Sequence, residues 1–206
     1  MRNYYLQRAG GNVLYGEGIP AMESDQASLQ ELVAALEGVV SAAELERVRE
    51  AGEWAREAHA GQARRDGASY FEHAAAVAAS LLAFGAHDPE LLVAALLHDL
   101  VENTPVTVEE VEKRFGPQVA GLVEAVTKRP GETAAAAAAR AESAGREALL
   151  LRLTDRLEGV RRSRERPEAN RAEFLAQTRA VHLPLAQAHF PEMGEGLREA
   201  LEQAGA

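Results

Sequence analysis

A chain of 206 residues carrying a net charge of −10 is long enough for one well-packed domain and short for two. That acidity argues against a protein that coats nucleic acid or an anionic membrane, although a local patch or a metal can still reverse the sign inside a pocket for a phosphate-bearing ligand. With no cysteine, disulfides and thiolate metal sites are excluded, and any metal must rest on histidine and carboxylate.

The first 26 residues show no periodicity and are expected to form a loose extension, with Met22 a candidate true start. No signal-peptide core is present there, and no apolar run reaches the roughly 20 residues of a membrane span, so a cytoplasmic protein is the expectation. The domain proper is expected over 27–206. Leu29, Leu32, Val33 and Leu36 share one face of a first short helix, and Ser41 caps a second running to about residue 59. A polar loop with Arg64 and Arg65 follows. Ser69 and Glu72 read as a capping box opening a third helix at Tyr70. Asp88-Pro89 starts a helix that should run through the apolar stretch 91–97 to about Thr104, before Pro105. Thr107 and Glu110 cap another, closed at Gly116-Pro117, and 119–126 is helical again. Residues 131–148 are alanine-rich and strongly helical in propensity, with 133–141 left open as an ordered helix or a mobile lid. Leu149, Leu150, Leu153, Leu157 and Val160 form a helical stripe, followed by a charged stretch broken at Pro167 and two tail helices, roughly 169–188 and 193–203. No strand stands out, and the fold class is all-α, a bundle of about eight to ten helices.

The chemistry concentrates in Leu96-Leu97-His98-Asp99-Leu100-Val101-Glu102-Asn103. On a helix, His98, Asp99 and Glu102 share a face, which Asn103 extends. Burying such groups at the end of a hydrophobic helix is costly unless they are paired or bound to a cation. A histidine satisfied by a neighbouring carboxylate is the plain alternative for the dipeptide alone. His73, backed by Ala76, Val77 and Leu81, and Asp155, which interrupts the leucine stripe, tip the balance. His73, His98, Asp99 and Asp155 together give two imidazoles and two carboxylates, a set suited to manganese, iron, cobalt or zinc. Such an ion generates hydroxide near neutral pH and clamps a phosphate oxygen.

The order His…His-Asp…Asp resembles the HD superfamily of metal-dependent phosphohydrolases. More narrowly, the chain is similar to the RelA/SpoT-type hydrolase domain and the small stand-alone alarmone hydrolases over roughly residues 27–190. The similarity is carried by 58–65, 70–73, 94–99 with Glu102-Asn103-Thr104, Phe115-Gly116, Val126-Thr127-Lys128, 151–157 and Leu183-Pro184-Leu185-Ala186. It implies hydrolysis of the 3′-pyrophosphate of guanosine tetra- or pentaphosphate with manganese, and no synthetase activity. His73, His98, Asp99 and Asp155 match the metal ligands. Glu102 matches an acid that orients or activates the attacking water, and Arg64 and Arg65 match a basic pair near the nucleotide. A small-molecule nucleotide is the implied partner, with oligomeric state left open.

Four positions depart from the family pattern. Asn103 stands where a second acid is usual, and an amide orients but does not shuttle protons. Gly159 replaces an asparagine facing the nucleotide, which is expected to open the pocket and delete a donor, with Glu158 in place of a histidine beside it. Ala74 replaces a proline. These changes keep two rivals alive, hydrolysis of another nucleotide or phosphate ester, and a degenerate domain that binds a nucleotide or a partner without turnover. His59 reads as structural, His87, His182 and His189 as surface or packing residues, and the arginines at 161, 162, 164 and 166 as a solvated helix end.

Overall fold

The computed structural model describes residues 4–9, 12–17, 25–62, 64 and 69–205. It begins with two antiparallel strands, β1 (Tyr4–Ala9) and β2 (Asn12–Glu17), with Tyr4 opposite Glu17 and Ala9 opposite Asn12. No strand stood out here in the sequence. Two six-residue segments are too short for a periodicity count, but both contain β-favouring Tyr, Leu or Val and are separated in sequence by Gly10-Gly11, a hairpin signal.

Helices account for the remainder. They run α1 (Asp25–Leu36), α2 (Ala42–Ala58), α3 (Tyr70–Ala83), α4 (Pro89–Leu97), α5 (Leu100–Asn103), α6 (Val108–Phe115), α7 (Pro117–Val126), α8 (Ala134–Ala144) and α9 (Arg146–Arg161). A 3₁₀ turn (Ser163–Glu165) leads to α10 (Glu168–Gln177), a π-turn (Thr178–His182), α11 (Leu183–His189) and α12 (Pro191–Gly205). The capping boxes at Ser41/Glu44 and Thr107/Glu110 are complete. At α3 only half of the expected box forms: Ser69 accepts from the Glu72 amide, while the Glu72 carboxylate turns to Arg162. The tail passes from α10 into α11 through a wider turn because Pro184 has no N–H to give; the Leu183 amide instead reaches back to Thr178.

Asp88 caps α4 by accepting from the amides of Glu90 and Leu91, and every residue from 91 to 97 is buried. A helix apolar on all sides belongs in the middle of a bundle, and α4 packs there against α2, α3 and α7. The expected continuous helix from 89 to 104 is interrupted at His98-Asp99 before α5 resumes. A second apolar layer lies beyond α9, where Leu149, Leu153 and Leu157 meet Leu175, Met193 and Leu197 from α10 and α12. Helix α9 is therefore clamped between two cores, which fixes the direction of anything it projects between them. The alanine-rich segment is an ordered helix, α8, with Ala137, Ala138 and Ala141 buried. No described helix is long and apolar enough to cross a membrane.

Candidate metal centre and its cleft

The break after α4 has a local cause. In an unbroken helix the Ala95 carbonyl accepts from the amide four residues on; here it accepts from the His98 ring, Nδ1 to O 2.8 Å. With the proton on Nδ1, the lone pair of Nε2 faces the opposite way. That Nε2 is buried and has no hydrogen-bond partner among the described residues. It lies 3.6 Å from Asp99 Oδ2 and 3.8 Å from Asp155 Oδ1.

His73, fully buried on the first turns of α3, points its Nε2 at Asp155 Oδ1, 3.0 Å away. Its ring meets that of His98 edge to face, with centroids 5.4 Å apart. Donor atoms of His73, His98 and Asp99 all lie within 4.8 Å of one another, and Asp155 closes the fourth side. Burial alone raises the Asp155 carboxyl, but the His73 hydrogen bond and the charges of His98, His73 and Arg152 hold it well below the usual carboxylate range. An orphaned imidazole nitrogen converging with two carboxylates is a donor set that fits a divalent ion. A second support is in place for His98, on Ala95; the other nitrogen of His73, Nδ1, is buried without a hydrogen-bond partner.

The centre opens into a cleft of about 410 Å³ lined by Arg64, Asp99, Glu102, Asn103, Asp155 and Gly159 among others. Of the residues singled out in the sequence, His73 lies beneath this cleft rather than on it, and Arg65 falls outside the described residues. Arg64 forms an ion pair with Asp99 at 2.7 Å and lies over the Tyr70 ring, 5.4 Å from its centroid. Tyr70 in turn stacks on His59 at 4.8 Å and donates to Asn103 Oδ1 at 3.2 Å. Asn103 spends its amide hydrogens on Asp99, at 3.1 Å to the carbonyl and 3.4 Å to Oδ1. His59 thus supports the cleft from behind as a packing residue, its basicity lowered by burial first, against the raising effect of Gln62.

Glu102 is exposed at the rim, and its Oε2 accepts from the Lys128 backbone amide at 3.1 Å. That amide belongs to a loop pinned by Arg140 of α8. The Arg140 guanidinium donates to the carbonyls of Glu124, Ala125 and Thr127 and to both oxygens of Glu132. The alanine-rich helix, chemically silent in the sequence, is a strut for the loop against Glu102.

The opposite wall departs from expectation. Gly159 does not open the pocket: a Cβ built on it would stand 2.9 Å from Cζ of Phe174, whose ring fills the space. Arg166, expected at a solvated helix end, lines the cleft over that ring. Arg161 and Arg162 are engaged with Glu158 and Glu72, and Arg164 with the Gln203 carbonyl. Glu158 faces away from the cleft, accepting from Ser80 at 2.5 Å. His87 and His189 are exposed, and His182 is a fully buried packing residue. Tyr70, Arg152 and Arg156 stood inside the family-like stretches without being singled out; Phe174 gave no signal in the sequence.

Residues 51–189, well over half of the chain, match the family model for the HD domain. The chain is 36% identical over 148 residues to the guanosine-3′,5′-bis(diphosphate) 3′-pyrophosphohydrolase of Aquifex aeolicus, which covers 68% of this chain and 21% of that protein. It is 37% identical over 166 residues to a probable GTP pyrophosphokinase of Mycobacterium leprae, covering 77% of this chain and 21% of the other. It is 48% identical over 85 residues to the bifunctional (p)ppGpp synthase/hydrolase SpoT of Escherichia coli, covering 41% and 12%. The chain thus spans about a fifth or less of the length of these relatives. A solved structure of a metazoan ortholog of SpoT that hydrolyzes ppGpp matches with a TM-score of 0.68 at 27% identity, over 81% of this chain and 97% of the other. With the His…His-Asp…Asp residues gathered at one point of an all-α bundle and this match across its length, the chain belongs to the HD domain family.

Proposed function

We propose that the chain is a metal-dependent phosphohydrolase that removes the 3′-pyrophosphate of guanosine tetraphosphate, leaving guanosine diphosphate. The observation that carries this reading is the buried Nε2 of His98, without a hydrogen-bond partner among the described residues, close to His73, Asp99 and Asp155 beside a cleft lined by Glu102. The relatives named for this activity, and the structural neighbour that hydrolyzes ppGpp, support the choice of substrate. His73, His98, Asp99 and Asp155 would hold the ion, with manganese the metal of choice. When bound, a divalent ion supplies Lewis acidity toward a phosphoryl oxygen and lowers the pKa of water.

The chain's own residues do the rest. Glu102 stands at the rim with one oxygen fixed by the Lys128 amide, so its carboxylate is positioned to take a proton from an attacking water. The water oxygen bonds to phosphorus, the bond from phosphorus to the ribose 3′-oxygen breaks, and that oxygen takes up a proton. Asn103 orients without shuttling, because its amide is committed to Asp99 and Tyr70. Arg64, paired with Asp99, and Lys128 on the cleft wall bring positive charge toward the phosphates.

The test is a substrate panel with manganese, comprising guanosine tetraphosphate, guanosine triphosphate and a simple phosphate ester. Selective release of pyrophosphate from the tetraphosphate is expected. Turnover of other members alone moves the assignment to a different phosphohydrolase, and no turnover by metal-loaded protein makes it a binding domain.

A further inference from the structure

One wall of the cleft is built by α9 and α10. One helical turn beyond Asp155, Gly159 leaves a notch, and the half-buried Phe174 of α10 puts its ring there, with Cζ 2.9 Å from where a Cβ at 159 would be. Two guanidinium groups lie over that ring, Arg156 at 3.9 Å and Arg166 at 4.2 Å from its centroid. Arg156 is itself fixed, donating to Thr178 Oγ1 at 2.7 Å and to the Phe174 carbonyl at 3.0 Å. Burial lowers its pKa to about 10, so it keeps its charge at neutral pH. The ring is therefore held rigidly, and both it and Arg166 face the cleft.

We propose that Phe174, with Arg166 over its ring, is a specificity-determining wall that receives the nucleoside part of the substrate, and that position 159 is glycine because this ring occupies the space of its side chain. The proposal rests on the phosphohydrolase reading above. A phosphoryl group at Asp99 and Asp155 leads the remainder of a nucleotide along α9, and one turn of helix, about 5.4 Å, separates Asp155 from Gly159. That is the scale of the step from a phosphate to its sugar and base. Flat bases pack on aromatic rings and guanidinium planes, and the same cations meet a remaining phosphate. Tyr70, the other Phe or Tyr ring on the described cleft, is already stacked on His59 and bonded to Asn103. Among the described residues, the Phe174 ring has the two arginines over it and packs against the second apolar layer, with no ring stacked on it.

The rival is a purely structural role, in which the cluster ties α10 to α9. Binding of two probes separates the two. Guanosine diphosphate, which lacks the 3′-pyrophosphate and is not consumed, and inorganic pyrophosphate, which lacks a base, are titrated calorimetrically with manganese present. Phe174→Ala and the size-preserving Phe174→Leu should each weaken guanosine diphosphate by about tenfold. Pyrophosphate should change by less than about twofold. In turnover, KM for guanosine tetraphosphate should rise about tenfold while kcat stays nearly constant, the signature of lost binding to the non-reacting part. Gly159→Asn, which expels the ring, should match Phe174→Ala, and the double variant should bind no worse than either single.

Equal weakening of both probes, unchanged guanosine diphosphate binding in Phe174→Leu, or a wild-type chain that binds pyrophosphate but no guanosine diphosphate overturns the wall. Because the probes are read without turnover, a chain that hydrolyses nothing sinks the hydrolase reading by a different result.

Discussion

The His98 ring donates through Nδ1 to the carbonyl of Ala95 at 2.8 Å, and this one bond both ends α4 and aims Nε2 at the carboxylates of Asp99 and Asp155. A side chain has taken the acceptor that the backbone of a continuing helix needs. The cost of a broken helix and a buried, unpaired nitrogen is offset only when something binds that nitrogen.

Metal should therefore stabilise the fold as well as enable chemistry. A hundredfold excess of manganese over its Kd should add about 2.7 kcal/mol to unfolding free energy. Asp99→Ala and His98→Ala should lose this gain along with turnover. Thermal unfolding with and without chelator checks it, and a metal-induced shift retained in Asp99→Ala would rule the assignment out.

Asn103 gives a sharper probe. Its amide donates to the Asp99 carbonyl and approaches Asp99 Oδ1 at 3.4 Å, so Asn103→Asp turns a donor into a second anion beside Asp99. In chelator the variant should be less stable by roughly 1–2 kcal/mol, the loss of a hydrogen bond plus like-charge repulsion. Manganese should narrow that gap, since added negative charge at a cation site tightens binding. Parallel melts decide the matter; equal destabilisation with and without metal would show that residue 103 does not sense the site.

Arg140 is expected to matter out of proportion to its alanine-rich setting. Arg140→Ala removes donors from three carbonyls and from Glu132, and should cost about 2–3 kcal/mol. Because the pinned loop supplies the Lys128 amide to Glu102, kcat should fall more than KM rises. The Arg140 hydrogen bond, working against burial, lowers the Glu132 carboxyl from its ordinary 4.5 to about 2. A depressed acid stabilises the fold above its ordinary value and loses that contribution as pH falls toward the folded value, here between 4.5 and about 2. Wild-type stability should drop through that window more steeply than that of Arg140→Ala, as melts from pH 2 to 6 will report.

The sequence disclosed what conflicts with its own surroundings. His98-Asp99 at the end of a run of buried leucines, and Asp155 inside a leucine stripe, stand out because an apolar pattern has no use for them. Their elements and ends were also legible, since Ser41, Asp88 and Thr107 cap through bonds to residues two or three away. What stayed hidden depends on distant partners. The helix break at His98 needs knowledge of where its ring turns, and the meaning of Gly159 depends on Phe174, fifteen positions later and on another helix. Arg140 was masked because three of its acceptors are backbone carbonyls at and just beyond the end of α7, which no side-chain pattern announces. The strands escaped because six residues carry too little periodicity.

His182 offers a pH test at a residue outside the metal ligands, with Asp155 among its charged neighbours. It is fully buried in the π-turn, and its ring contact with the Gln177 backbone falls short of a well-formed hydrogen bond among the described residues. Burial first, then the charges of Arg156 and Arg152, lower its pKa to about 3, only partly opposed by the Gln177 backbone and Asp155. Its ordinary value is 6.5, so between 6.5 and about 3 the unfolded chain holds a proton that the folded chain refuses. Stability then rises with pH across this window, and at pH 5 the refused proton costs roughly 2 kcal/mol. His182→Leu keeps the volume, removes the titration and abandons no hydrogen bond. Its stability relative to wild type should improve by that amount on going from pH 8 to pH 5, measured by urea unfolding at both. The acid limb shared by all carboxylates cancels in the comparison, so an unchanged difference between the two pH values would mean that His182 takes up its proton in the folded state.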